Sequence, residues 1–303
     1  AYLVNAAGNK SVSGLSVIMS SIKIGGIAIF AIAAIWASGL WGGAFSEPVE
    51  LSNADALLAS VAFSILAFKG FTTITNSGAE MVDPHKNIGR TIMISIAVCI
   101  VIYLLVALAV GSSLSISQIV QARDYSLAAA ARPAFGQMGF YFTVAIALTA
   151  TISGVIASVF AASRMLAMLT EMKMIPHSHF GMSGGIRSHM LVYTVVLAGT
   201  LAALFDLSRI ASLGAFFYLV MDMLVHWGVL RHLRKEVGAS ATVLLAALAA
   251  DGVVLAAFTA AKLRSDPAIV AYAIIGIAIV FLGQWIFLSR NPDAPASPEK
   301  DQS

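Results

Sequence analysis

Five ionisable side chains interrupt the long apolar stretches of this 303-residue sequence: Lys23, Lys69, Asp222, His226 and Asp251. A charged group in the middle of a lipid-facing segment costs about 2.5–3.5 kcal/mol on insertion scales, so such residues usually face a cavity or a partner. A lysine supplies a fixed or protonatable cation, and a carboxylate–imidazole pair can relay a proton near neutral pH. These residue types therefore indicate charge or proton handling in an apolar environment.

Lys23 ends a polar stripe on the first apolar segment. Ser13, Ser16, Ser20 and Lys23 are spaced three or four residues apart and share one face of a helix. A polar face on an apolar helix is expected to line protein or water. Two interpretations stay open: a cation in a transport core, or a lysine that extends to the membrane surface.

The segment after Lys69 is rich in residues that weaken a helix. It contains Gly70, Thr72, Thr73, Thr75, Asn76, Ser77 and Gly78. Glycine and β-branched threonine are poor helix formers. The pattern predicts a broken helix whose backbone groups bind a solute. The alternative is a helix whose hydroxyls bond to the preceding turn. A lysine beside the break would favour anionic or zwitterionic solutes.

Asp222 and His226 are four residues apart and can pair across one helical turn. The pair is either a proton relay or a structural contact, and the sequence favours neither. Asp251 is alone on its segment, where a hydroxyl or basic partner is expected. We predict no cofactor and no metal, since the single cysteine, Cys99, cannot supply a multi-cysteine zinc site.

The elements that position these residues follow from composition. Hydrophobic residues make up 59% of the chain and charged residues 11%, against roughly 25% charged in soluble domains. A soluble core cannot hide that much apolar surface, so the sequence predicts an all-α membrane protein. Eight segments approach the roughly 20 residues that a span requires. They are 15–41, 55–78, 91–111, 137–165, 190–205, 211–230, 240–262 and 267–289.

Lysine and arginine are distributed unequally between the two sets of loops that these spans define. Eleven lie on one side: Lys10, Lys86, Arg90, Arg164, Lys173, Arg187, Arg231, Arg234, Lys235, Arg290 and Lys300. Five lie on the other: Arg123, Arg132, Arg209, Lys262 and Arg264. The richer side is predicted to be cytoplasmic, which places both chain ends there. Because the basic residues lie in short clusters between apolar runs, nucleic-acid binding is not expected.

Two polar stretches are expected to lie outside the spans. Residues 112–136 are too polar to cross, and they are predicted to hold a short helix on the outer surface, as a lid or a connector. The polar, proline-containing residues 290–303 are predicted to form a disordered cytoplasmic tail, so residues 1–289 form the predicted transmembrane region.

The chain resembles the amino acid–polyamine–organocation superfamily of permeases. The most specific match is to that family's sixth span: Phe68, Lys69, Gly70 and Phe71, then Glu80, Asp83-Pro84, Asn87-Ile88 and Arg90. The stretch from Ser163 to Pro176, SRMLAMLTEMKMIP, is similar to the eighth span. NAAGNK, leading to Lys23, is similar to the start of the fifth span.

The resemblance implies a leucine-transporter-like, inverted-repeat bundle with substrate near the bilayer midplane. It places the substrate at the broken helix, around Phe68, Lys69, Gly70, Phe71, Thr72 and Thr73. It also implies that Lys23 stands where sodium-coupled relatives bind sodium, which suggests proton coupling. Thr151 and Ser153 are the implied residues that face it.

Several departures from the family pattern bear on the substrate. Lys69 and Thr72 replace a small and an acidic residue, and Ala79 stands where an acid is common. The first span matches the family's fifth, so about eight of about twelve spans are expected here. We therefore expect a fragment of a longer protein, or a truncated product that does not transport alone.

The predicted function is secondary active transport of amino acids across the cell membrane by alternating access, either proton-coupled or by exchange. The predicted partners are an amino acid, the lipid bilayer and protons. A non-transporting fragment is one alternative. An intramembrane enzyme is another, invited by Asp222 and Asp251 and by a GxSG pattern at Gly181–Gly184, yet neither GxGD nor HExxH occurs. We expect no enzymatic activity.

Overall fold

The computed structural model describes residues 9–39, 43–46, 54–68, 70, 73–76, 81–123, 125–176 and 184–290. Within these residues the chain is helical and contains no strand. The α-helices are α1 (Asn9–Ser38), α2 (Ala54–Ala67), α3 (Thr73–Asn76), α4 (Pro84–Ser113), α5 (Ile116–Gln121), α6 (Ser126–Ala130), α7 (Arg132–Glu171), α8 (Ile186–Leu204), α9 (Leu207–Gly228), α10 (Ala241–Ser265) and α11 (Pro267–Arg290). A short 3₁₀ helix covers Gly43–Ser46, and a π-helical turn, Val229–Leu233, extends α9.

Seven of the described helices are long and apolar enough to cross a membrane: α1, α4, α7, α8, α9 with its π turn, α10 and α11. Each contains or overlaps one predicted span, including the short 190–205. The remaining predicted span, 55–78, is divided between the 14-residue α2 and the four-residue α3. The all-α membrane architecture is therefore confirmed.

Local sequence explains where two of the long helices begin. Pro84 is the first residue of α4, where its missing N–H costs no hydrogen bond. The side chain of Asn87 then donates to the carbonyl of Val82, at 2.6 Å. In α7 the backbone is non-helical at Gly136, with φ of 59°. The regular part of α7 thus starts at the residue where the span was predicted to start.

The stretch 112–136 departs from the single surface helix that the sequence predicted. It forms two short helices, α5 and α6. Ser115 caps α5 reciprocally: its hydroxyl accepts the Gln118 N–H, and the Gln118 side chain accepts the Ser115 N–H. Ala128 and Ala130 of α6 are buried, because this stretch packs against longer helices.

The chain divides into two compact units, and the first comprises residues 1–50, 70–167 and 179–195. Its described core is built largely from small side chains of α1, α4 and α6. The core residues are Phe30, Ala31, Ala34, Ala109, Leu114, Ala130 and Ala131. Small residues allow helix backbones to approach closely. Near the ends of α1 and α4, the hydroxyls of Ser38 and Ser113 are hydrogen-bonded at 3.0 Å.

The second unit comprises residues 51–69, 168–178 and 196–303. Its described core joins α2, α9, α10 and α11 through Ala62, Ala215, Phe216, Leu219, Val254, Phe258, Ile269, Val270 and Ala273. Phe258 lies at the centre, fully buried, with the rings of Phe63 and Phe216 at 5.2 and 4.8 Å between centroids. Gly276 lets α11 approach α9, since a Cβ there would lie 2.7 Å from Phe217 Cζ.

Candidate functional site

Lys23 lies near the middle of α1, and its ammonium donates a hydrogen bond to the Ser153 hydroxyl of α7 at 3.2 Å. The two helices are in close contact here, because a Cβ on Gly26 would lie 2.6 Å from Ile146 Cδ1. Residue numbers rise along α1 as they fall along α7, so the two helices are antiparallel at this crossing. Ser153 is 6% exposed and Lys23 is half-buried. The structure thus brings together two of the three residues predicted for coupling.

Thr151, the third of these residues, occupies a different environment. It is exposed and lines a cavity of about 320 Å³ in the first unit, together with Arg123, Tyr125 and Thr143. Residues two positions apart on a helix point in very different directions. That spacing explains why Ser153 contacts Lys23 while Thr151 faces the cavity.

The predicted interruption of the second apolar segment is present in the backbone. Helix α2 ends at Ala67, and the Phe68 N–H donates to the carbonyl of Ile65 at 3.0 Å, which closes a tight final turn. Gly70 has φ of +114°, a conformation that L-residues rarely adopt. Helical structure resumes at Thr73. The second apolar segment is therefore not one continuous helix.

Several residues predicted for the site lie outside the described residues: Lys69, Phe71 and Thr72, together with Ser77, Gly78 and Glu80. For Thr73 only the backbone, as the first residue of α3, is described. Residues 181–183 of the GxSG pattern and the predicted tail after Arg290 also lie outside. The roles predicted for these residues remain predictions.

A second group of polar side chains lies between α9 and α10. His226 Nδ1 is 3.9 Å from Asp222 Oδ2 on its own helix, as the four-residue spacing predicts. It is closer to Asp251 Oδ2 of α10, at 3.1 Å. Asp251 is 8% exposed, while the other two residues are half-buried. The basic partner expected for Asp251 is therefore His226.

Asp251 was not among the predicted site residues, because nothing in the residue spacing along α10 identifies its partner. The available signal was the cost of an isolated carboxylate in an apolar segment. That cost predicts that Asp251 has a polar or basic partner, but it does not identify the partner residue. Only the packing of α9 against α10 joins the three side chains.

The sequence was compared with known protein families and curated proteins. Residues 1–288 match the model of a family described as amino acid permease. The inner membrane transport protein YbaT of Escherichia coli is 25% identical over 248 residues, which is 80% of this chain and 56% of that protein. The uncharacterized protein MJ0609 of Methanocaldococcus jannaschii is 28% identical over 190 residues, 62% of this chain and 43% of that protein. The chain thus spans about half the length of the curated relatives it matches. With the family match extending through all seven long helices, the chain belongs to the amino acid permease family.

Proposed function

We propose that this protein is a secondary active transporter of amino acids that works by alternating access. The observation that carries the proposal is the helix interruption between Ala67 and Thr73 in a chain of the amino acid permease family. Within a membrane, non-helical backbone is tolerated where it is buried in protein or lines a water-filled cavity. A break inside an apolar segment is therefore best explained by a solute path.

The substrate site in this proposal includes Phe68, Lys69, Gly70, Phe71, Thr72 and Thr73. Broken helices in membrane transporters use backbone groups of the break to bind the substrate. Carbonyl oxygens can accept hydrogen bonds from an ammonium group and amide N–H groups can donate to a carboxylate, and an α-amino acid carries both groups. The positive charge of Lys69 adds a preference for zwitterionic or acidic substrates over basic ones.

Proton coupling is the second part of the proposal, and the Lys23–Ser153 contact supports it. The ammonium at this helix crossing supplies the positive charge that a bound cation would otherwise provide. Loss of its proton would remove that charge, leave a weaker, neutral donor in the 3.2 Å hydrogen bond and weaken the link between α1 and α7. Protonation would then bias one arrangement of these helices over another, as alternating access requires.

Uptake by proteoliposomes tests both parts. The purified protein is reconstituted, and accumulation of labelled zwitterionic, acidic and basic amino acids is followed with and without an inside-alkaline pH gradient. We expect saturable uptake of zwitterionic or acidic substrates that rises with the gradient and collapses when a protonophore is added. Replacing sodium by choline should leave uptake unchanged. Uptake that requires sodium and ignores the gradient would contradict proton coupling while retaining the transporter.

A further inference from the structure

Asp222, His226 and Asp251 form a three-residue cluster that the proposed substrate path does not use. One ligand atom from each residue, a nitrogen of the imidazole and an oxygen of each carboxylate, lies within 4.8 Å of the other two. His226 Nδ1 is 3.1 Å from Asp251 Oδ2 and 3.9 Å from Asp222 Oδ2. Two helices contribute, with Asp222 and His226 on α9 and Asp251 on α10.

We propose that this cluster binds a divalent first-row transition ion, with Zn²⁺ as the best fit. Zinc takes imidazole nitrogen and carboxylate oxygen at about 2.0–2.2 Å in tetrahedral geometry. Those bond lengths separate neighbouring ligand atoms by about 3.3 Å. The distances of 3.1 and 3.9 Å bracket that value. Small changes in the side-chain torsions would bring the three ligand atoms to three corners of a tetrahedron, and water would supply the fourth.

The donor set also explains why a transition ion fits better than Mg²⁺ or Ca²⁺. Those hard cations prefer sites made only of oxygen, whereas imidazole suits zinc and its neighbours. His226 is central here, because its Nδ1 is the atom nearest to both carboxylates.

Charge balance gives an independent reason for a dication. Two ionised carboxylates in segments that cross a membrane carry a large desolvation cost unless they are neutralised. A neutral imidazole, two carboxylates and one Zn²⁺ sum to zero. Protons could neutralise the same group, so the ion and protons would compete for one set of atoms.

Two residues of the cluster are only partly buried. The side chains of Asp222 and His226 are 27% and 26% exposed, against 11% for Asp251. His226 lies seven residues before the end of the π turn, or about 10 Å along the helix axis. The helix widens into that turn at Val229, and π-helical turns are frequent at functional sites.

Zinc binding to the purified protein in detergent tests the proposal. Metal-free protein is titrated with Zn²⁺ by calorimetry, and its melting temperature is measured with and without the ion. We expect one equivalent to bind and the melting temperature to rise, because the ion joins α9 to α10. His226→Gln and Asp251→Asn should each weaken binding by about 10-fold or more. His232→Gln is the matched control, since His232 is an exposed imidazole of the π turn, six residues further along the chain.

Equal zinc affinity in the parent and in His226→Gln would overturn the proposal, as would an equal loss in His232→Gln. Failure of the parent to bind zinc would overturn it too. Should Asp251→Asn not fold, His226→Gln and Asp222→Asn give the same reading from α9 alone. The experiment needs neither substrate nor vesicles, so its failure leaves the transport proposal standing.

Discussion

In the proposed mechanism, Lys23 is the residue at which coupling and substrate binding can be separated by substitution. Its ammonium contacts Ser153, a residue of another helix, and the proposed substrate residues belong to a different stretch of chain. A change at Lys23 should therefore alter how transport is driven before it alters what is transported.

Replacing Lys23 with alanine should abolish the response of uptake to a pH gradient. The variant loses both the titratable group and the donor to Ser153, so gradient-driven accumulation should fall to the level seen without a gradient. Proteoliposome uptake at matched protein density measures this. Lys86→Ala is the control, because Lys86 is exposed in the first turn of α4. Unchanged gradient dependence in Lys23→Ala would remove Lys23 from the coupling role.

The Arg209–Asp266 pair makes stability depend on pH. The guanidinium donates from Nε to Asp266 Oδ2 at 2.8 Å and from Nη2 to Oδ1 at 3.4 Å. This hydrogen bonding holds the pKa of Asp266 below its ordinary value, which is about 3.9. A carboxylate with a lowered pKa stabilises the fold fully above its ordinary pKa. It loses that contribution as pH falls through the lowered value.

Asp266→Asn should therefore melt at a lower temperature than the parent at pH 7, and the difference should shrink as the pH falls below about 4 and disappear only below the lowered pKa of Asp266. The effect will be small because the pair is exposed to solvent. Thermal unfolding in detergent across this pH range measures it. Glu236→Gln serves as the control, since Glu236 is an exposed carboxylate of the loop before α10. A constant difference at all pH values would show that the ion pair is not its cause.

Among the secondary-structure elements, the interruption between α2 and α3 is the one on which the proposed substrate site depends. Gly70 permits it, because φ of +114° is strained for any residue with a Cβ, even though a Cβ there would meet no atom within 4 Å. The strain is of order 1–3 kcal/mol. Relieving it would shift the backbone at the proposed binding site.

Gly70→Ala should lower the uptake rate by about tenfold, the equivalent of about 1.4 kcal/mol, with little change in expression. Initial rates of labelled amino acid uptake provide the measurement. Gly89→Ala is a matched control: Gly89 lies in α4, has open space for a Cβ and is not strained. An alanine there should be neutral or stabilise by up to about 1 kcal/mol. If Gly70→Ala transported as well as Gly89→Ala, the break would not be part of the substrate path.

Elements were predictable from the sequence where one physical signal dominated. Long apolar runs determined the seven long helices, and the run of glycine and threonine after Lys69 determined the interruption. Residues 112–136 were less predictable, since no apolar period marks the gap between α5 and α6. There, burial of Ala128 and Ala130 against other helices decides the structure.

At the scale of the molecule, contacts between helices were the part that the sequence could not supply. The spacing of Asp222 and His226 identified a pair on one helix. The shorter contact of His226, however, is with Asp251 on another helix. Likewise, the polar face that ends at Lys23 predicted a surface toward protein or water, while Ser153 and Thr151 could be told apart only by how α1 packs on α7. The spacing of polar residues shows which face of its own helix a side chain occupies. It does not show which other helix packs against that face.

For the whole protein, amino acid uptake is the measurement that decides whether it transports. The protein is reconstituted into vesicles with an inside-alkaline pH gradient, and a panel of labelled amino acids is offered at increasing concentrations. We expect saturable, gradient-stimulated accumulation of at least one zwitterionic or acidic amino acid, and we expect the gradient stimulation to be lost in Lys23→Ala. No saturable uptake of any amino acid by folded, inserted protein would contradict it.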